Sequence, residues 1–561
     1  MTRKTATQHA AWRAAEIGEP LPQRGWGRAV AVYPGPYNLA MANLGYQWLM
    51  HALAKNGLAV ARAVWPERGS SPETLRCIDD DRSAADADIW FVSVSFENDL
   101  VHLAAMLRLA GLPVRAAERR ERDPLIVAGG VVPTMNPEPI SELADVCLLG
   151  EGNAALAPFL EHWRDEAPRD RAAWLASLAH VPGAYVGRFY HSRYEGERLQ
   201  ALEAQAGFPA QVKVAREAAI NPVENRTHLR APGAVFGDSM LVEAARGCTN
   251  RCRFCAAGHV FLPYRPAAPP SEVPSLGENV LGLVGSNVSG HPDLAAWLEF
   301  AGDRRVALSS IRRDTLDEET WRALTARGLV SAAIAPEAGS EGLRRVINKP
   351  ATDEEILVEV RRAIDAGVQN LKLYFMVGLP GESGDDVQSI VSLAQRCRDT
   401  AMDGWKKKGW AGRITLSVNP FVPKPHTPFQ WHPFGAESEL KKKLRMIAQE
   451  LRRTPNLEMQ SESLRAAVLQ ALLSVGDRRA GELARLVDAE GSIRPALRAW
   501  QPNHQSLLAA AFQFDDALPW DAVDMGIRRS YLEQEYQEAL AGRTTPPCRP
   551  ESGCRICGIC G

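Results

Sequence analysis

Residues 246–255 read Arg-Gly-Cys-Thr-Asn-Arg-Cys-Arg-Phe-Cys and directly follow an apolar stretch, 241–245, with the pattern of a buried strand. The cysteines Cys248, Cys252 and Cys255 stand in the spacing CxxxCxxC. Thiolates are soft ligands suited to iron–sulfur clusters, and a short loop carrying three of them can hold three irons of a cubane while the fourth iron stays open. The rival reading is a zinc site completed by a histidine such as His259. Zinc sites usually show four ligands in paired spacings. The uneven gaps, the lone triplet and the aromatic Phe254 before the last cysteine favour the cluster.

Outward from this loop, strand and helix patterns alternate. Strand-like runs fall at 241–245, 280–284, 305–309, 332–335, 370–376 and 413–418, separated by helical segments at 292–301, 318–326, 341–347, 353–366 and 385–399. Such units predict a partial or full β/α barrel of the TIM-barrel type over 236–435, with functional loops at the C-terminal strand ends. Upstream, strand candidates at 29–33, 58–64, 88–95, 125–128 and 146–149 alternate with helical stretches, and glycines follow the last two. That pattern indicates a doubly wound parallel sheet over 28–165, so the fold class is α/β. Residues 166–235 read as a connector, 436–543 as a helical region and 544–561 as a cysteine-rich tail. Residues 1–27 are polar without a strand pattern, and the run Lys441 to Lys443 reads as a solvated helix face.

The bulk properties narrow the class. A chain of 561 residues holds three or four domains at roughly 100–200 residues each. Its net charge is −2, from 65 basic and 67 acidic residues, so no global polycation draws it to nucleic acid. No apolar run reaches the length of a membrane span and no signal-peptide core opens the chain, which points to a cytoplasmic protein with no membrane insertion. The ten cysteines cluster, with three at 248–255 and four at 548–560. Clustering of this kind reads as metal binding, not as a disulfide framework. Cys548, Cys554, Cys557 and Cys560 have the spacing C-x5-C-x2-C-x2-C, akin to ferredoxin-type ligation, with zinc as the alternative. Cys77, Cys147 and Cys397 are expected to be buried small hydrophobes.

The motif RGCTNRCRFC resembles the signature of the radical S-adenosylmethionine (SAM) superfamily. The resemblance implies a 4Fe-4S cluster on Cys248, Cys252 and Cys255, SAM held at the open iron, and reductive cleavage of SAM to a 5′-deoxyadenosyl radical. It implies a one-electron donor such as flavodoxin or ferredoxin, and Phe254 packed near the cluster and SAM. Further segments match the superfamily's SAM contacts. Gly285, Ser286 and Asn287 stand where a glycine-rich segment binds the SAM amino group, although the usual Gly-Gly-Glu is absent. Glu337, in APEAGS, stands where a glutamate lies near SAM, and Gly378 and Gly381, in VGLPGE, resemble the adenine-contacting turn. Residues 419–429, NPFVPKPHTPF, resemble the sixth-strand segment of methylthiotransferase-like members. Together with YPGPYNLAMANLGYQ, PEAGSEGLRRVINK, GDRRAGE and LPWDAVDMGI, they resemble the cobalamin-binding-domain radical SAM proteins of uncharacterised substrate.

That family implies a cobalamin-binding-like N-terminal domain. The Asp-x-His-x-x-Gly loop of the common cobalamin site is absent, while Ser93, Gly129 and Gly130 at strand ends suit a corrinoid or nucleotide tail. A cobalamin domain and a doubly wound domain that only packs on the barrel both stay open. With cobalamin, methyl transfer is the favoured reaction. Without it, a radical modification of a small molecule or of RNA is favoured, and the non-enzymatic rival is a metal-binding or RNA-binding scaffold.

Overall fold

The structure, a computed structural model, describes residues 2–66, 74–165, 170–309, 311–312, 315–410, 412–549 and 554–560. The N-terminal sheet contains β1 (Arg28–Tyr33), β2 (Ala59–Val64), β3 (Ile89–Ser93), β4 (Leu125–Gly129), β5 (Val146–Leu148) and β6 (Ala184–Tyr185). Its order is β2-β1-β3-β4-β5-β6, with β1 to β5 parallel and β6 antiparallel. These strands read as continuous apolar runs because both faces are covered. The helices α2 (Leu44–Lys55) and α3 (Gly152–Asp165) pack with one face of the sheet in a single apolar cluster. The order reverses between β1 and β3, and doubly wound sheets bind ligands beyond the strand ends at such a reversal.

The polar start of the chain is helical, as α1 (Thr2–Ala15). Trp12 of α1 stacks on Tyr37 at 4.1 Å, and Glu16 just beyond it pairs with the buried Arg62 at 2.5 Å. Those contacts are tertiary, so no periodicity announces the helix.

The second unit is a partial barrel. Strands β7 (Ser239–Glu243), β8 (Val280–Val284) and β9 (Arg305–Leu308) form one parallel sheet. Strands β10 (Ser331–Glu337), β11 (Asn370–Val377), β12 (Arg413–Pro420) and β13 (Leu457–Gln460) form another. No ladder joins β9 to β10 among the described residues, so the barrel is open on that side. The six strands expected from sequence are present. The seventh, β13, lies inside the stretch read as helical. The long helices α4 (Asp353–Ala366) and α5 (Gly384–Lys407) cover the barrel, each started by a capping box, Thr352 with Glu355 and Ser383 with Asp386. One apolar core runs from the N-terminal sheet through the barrel into the C-terminal helices. No helix among the described residues is long and apolar enough to cross a membrane. Cys77, Cys147 and Cys397 are buried, and burial pushes each thiol up to about 12.

Candidate active site

The cysteine loop leaves the C-terminal end of β7 and folds back on itself. Gly247 has φ +78°, and a Cβ there would lie 2.3 Å from the Phe261 carbonyl oxygen. A Cβ on Gly258 would meet the Asn250 carbonyl at the same distance. Only glycine allows these approaches. Cys248 is buried, and Cys252 and Cys255 are partly exposed. The amide and side-chain nitrogens of Asn250 each donate to the Cys248 sulfur at 3.4 Å.

Cys248 bears on the other two thiols. Burial pushes Cys252 up to about 12, with Lys349 pulling it down and Cys255 and Cys248 pushing it up. Burial also raises Cys255, opposed by the Ala257 amide and reinforced by Cys248 and Glu337. A bound metal ionises thiols in such surroundings outright, so the donor set fits a cluster. Among the described residues no group of three His, Cys, Asp or Glu is arranged to hold a single metal ion. The His259 Nδ1 pairs with the Cys255 carbonyl at 2.9 Å, and its buried Nε2 has no partner.

Arg253, between the second and third cysteines, is fully buried. It pairs with Glu535 of α6 (Arg529–Leu540) at 3.1 Å and donates to the Val346 carbonyl at 3.0 Å. The Arg253 amide donates to the Ile347 carbonyl. The loop is thus pinned from behind by two distant segments, a role the sequence does not signal. Glu535→Gln keeps an acceptor but removes the countercharge, so a loss of about 2 kcal/mol is expected in chemical denaturation. An unchanged midpoint would show that the carbonyls alone hold the guanidinium.

On the open side, Phe254 joins a cluster with Ala338, Leu379, Phe421 and Phe429 at the ends of β10, β11 and β12. Glu337 closes β10 at a β-bulge with φ +67°, a conformation that a non-glycine residue holds only when its surroundings enforce it. Its carboxylate accepts from Lys349 at 3.1 Å. Burial lowers the Lys349 amine, but Glu337, Cys252 and Cys255 outweigh it and hold the amine above its ordinary value. Lys349 is a site residue that sequence reasoning missed, because only the tertiary fold brings it to Glu337 and the thiols.

Gly285 lies just past β8 and bonds both ways with the Ser309 hydroxyl. Ser286 is exposed, whereas Asn287 is buried with its Oδ1 unpartnered. A buried acceptor without a donor suits a ligand N–H. Gly378 and Gly381 form the turn after β11 with φ +87° and +75°. Glu382 accepts from the Gly378 amide at 2.8 Å and from Lys443 at 2.5 Å. Lys443 therefore departs from the expected solvated face, because it braces this turn.

The superfamily model for radical SAM proteins matches residues 242–394, and the model for the N-terminal region of radical SAM proteins matches residues 54–187. The chain belongs to the radical SAM superfamily. An uncharacterized protein of Methanocaldococcus jannaschii is 28% identical over 404 residues, which is 70% of this chain and 78% of that protein. Among solved structures, the cobalamin-dependent SAM radical enzyme OxsB with aqua-cobalamin and SAM bound aligns at TM-score 0.44 and 14% identity, over 92% of this chain and 72% of that one. Its apo form aligns at TM-score 0.43 and 16% identity over 65% of this chain, spanning about half of that chain, 51%. Coproporphyrinogen III oxidase from Escherichia coli, a radical SAM enzyme, aligns at TM-score 0.24 and 12% identity over 31% of this chain and 40% of that one.

In this radical SAM protein the N-terminal sheet is fastened to the cysteine loop. Glu151, just past β5, pairs with Arg265 at 2.5 Å and with Arg246 at 2.8 Å. Beside it, a cavity of about 140 Å³ opens at the ends of β3, β4 and β5. Its lining includes Trp48, Ser93, Gly129, Gly130, Gly150 and Gly152, so the three residues singled out in the sequence meet in one cavity. A Cβ on Gly129 would meet nothing within 4 Å, whereas one on Gly130 would fall 2.4 Å from the Val94 carbonyl oxygen. The cavity wall therefore depends on glycine for its shape. No histidine lines it.

Proposed function

We propose that the chain cleaves SAM reductively at a cluster held by Cys248, Cys252 and Cys255, and that the N-terminal cavity seats the tail of a cobalamin that assists methyl transfer to an unactivated carbon. Bound there, the cluster supplies the electron that breaks the SAM carbon–sulfur bond, and cobalamin supplies a carrier for the methyl group. The loop geometry supports the first part: three thiols on one loop, the Lys349–Glu337 ion pair and an apolar wall at one rim. Phe254 with Leu379 and Phe421 keeps water from the reacting centre. The unpaired Asn287 Oδ1 accepts a hydrogen bond from the SAM amino group, and Gly285 lets the backbone approach it. Lys349 and Glu337 present a fixed ion pair beside the thiols, suited to the carboxylate and ribose hydroxyls of SAM. The Gly378–Gly381 turn, braced by Glu382 and Lys443, receives the adenine. Four tail thiols, Cys548, Cys554, Cys557 and Cys560, take a second metal. A one-electron donor of the flavodoxin or ferredoxin class is the partner.

The cavity supports the second part, because its glycines let a flat heteroaromatic group approach the backbone while Trp48, Phe91 and Leu156 offer it apolar walls. The absence of histidine from its lining suits a corrinoid whose cobalt takes no protein imidazole. Gly129→Trp is the test, because the open space at its Cβ accepts the indole without disturbing the sheet. The variant is expected to lose bound cobalt more than about 10-fold while 5′-deoxyadenosine formation persists. Equal cobalt in both proteins, or none in either, would remove cobalamin from the reading. Failure of the reduced, iron-loaded wild type to form 5′-deoxyadenosine would remove SAM cleavage.

A further inference from the structure

The SAM site makes no use of the four tail cysteines, yet the tail is seated on its loop. The Cys548 amide donates to the Thr249 carbonyl at 2.6 Å, and Thr249 follows the cluster ligand Cys248. The Arg251 guanidinium, on the same loop, lies 5.6 Å over the Tyr531 ring. Asn348 clamps loop to tail: its Nδ2 donates to the carbonyls of Arg251 at 2.9 Å and Thr545 at 3.0 Å, and its Oδ1 accepts from the Thr545 amide.

The tail itself is organised around its thiols. Cys557 is buried among Leu262, Trp431, Tyr531 and Leu532, and its carbonyl accepts from the Arg528 amide at 2.9 Å. The Arg528 side chain holds the carbonyls of Arg555 and Ile556. Gly558 turns the chain at φ +100°, with the Gly526 carbonyl oxygen 2.9 Å from where a Cβ would stand. Tyr531 shares this apolar cluster with Cys557 and lies under the Arg251 guanidinium, which ties the tail to the loop. Loose thiols at this density would invite oxidation, and backbone carbonyls fixed by arginine describe a built site.

We propose that Cys548, Cys554, Cys557 and Cys560 hold a second 4Fe-4S cluster that receives the reducing electron and relays it to the SAM-cleaving loop. Four thiolates close all four irons, so this centre can pass electrons but cannot bind SAM. The Cys548–Thr249 hydrogen bond makes the two ligand sets nearly contiguous. The electron balance is simple. A flavodoxin- or ferredoxin-class donor loses one electron to the tail cluster, which passes it on to the catalytic centre. There it is spent in breaking one SAM carbon–sulfur bond, yielding methionine and a 5′-deoxyadenosyl radical. The relay rests on the SAM-cleaving reading of the loop, whereas the tail cluster does not.

The test uses the full chain, reconstituted anaerobically, with iron, sulfide and zinc quantitation and electron paramagnetic resonance. Wild type is expected to carry about eight irons. Replacing Cys248, Cys252 and Cys255 together by Ala should leave about four irons and a reducible cubane signal from the tail alone. The double variant Cys554→Ser/Cys557→Ser should also hold about four irons. It should cleave SAM at near wild-type rate with dithionite, but more than about 10-fold more slowly with reduced flavodoxin. Zinc in the tail, or loss of all iron from the triple Ala variant, overturns the proposal. So does a flavodoxin-driven rate in the double variant equal to wild type. If the triple Ala variant keeps its cubane while wild type never cleaves SAM, the proposed function fails and the tail cluster stands.

Discussion

Replacing Cys255 by Ala is expected to abolish 5′-deoxyadenosine formation while the protein stays folded. The Cys255 side chain contributes nothing to the fold beyond its thiol. Its amide donates to the Cys252 carbonyl and its carbonyl accepts from His259, and both bonds survive in the Ala variant. The loop keeps its shape because Gly247, Gly258 and the Arg253–Glu535 pair define it. A single iron ligand is lost, and with it the arrangement that leaves one iron open while three are held. Loss of a partner outside the ligand shell costs about 10–100-fold in metal affinity or activity, so loss of a ligand should exceed that and reach background. Chromatography of 5′-deoxyadenosine, iron content and a melting curve on the same sample make the check. Undiminished SAM cleavage by the variant would place the chemistry elsewhere.

The parts of this fold that the sequence discloses are those built from local pattern. Parallel strands buried on both faces leave apolar runs, and close-approach glycines such as Gly130 and Gly150 mark their ends. The thiol triplet is legible because its ligands lie within one loop. What the sequence hides is tertiary. β13 is four residues long with an alternating, half-exposed pattern, too short to stand out beside the helices around it. α1 is polar and owes its place to the Trp12–Tyr37 stack. Lys349 and Glu535 reach the loop from 94 and 280 residues beyond Cys255, so no spacing rule connects them to it. Ser93, Gly129 and Gly130 were visible singly, but only the strand order β1-β3-β4-β5 brings them to one cavity.

Glu151→Gln is expected to loosen the seam between the N-terminal sheet and the cysteine loop, at a cost of about 3 kcal/mol. The carboxylate is buried and accepts from Arg265, Arg246 and the Glu217 amide. Arg246 keeps Glu243 and Glu217 when that charge goes. Arg265 keeps only backbone carbonyls, those of Glu217, Pro263 and Phe261. The Phe261 carbonyl is the one against which Gly247 packs, so strain at Arg265 reaches the start of the cluster loop and should lower iron retention too. Acid distinguishes the charge from the shape. Burial alone would raise the Glu151 carboxyl, but the hydrogen bond from Arg265 and the charge of Arg246 hold it below the usual carboxylate range. A depressed folded value means that its stabilisation is present above the unfolded value and is lost as pH falls through the folded one. Glu217, raised by burial despite Arg246, acts in the opposite sense and is common to both proteins, as is Arg216, which also faces Glu151. The stability gap between wild type and Glu151→Gln should therefore narrow below about pH 4. A gap that stays constant from neutral pH into acid, measured by urea denaturation, would mean that the pair contributes packing and no charge interaction.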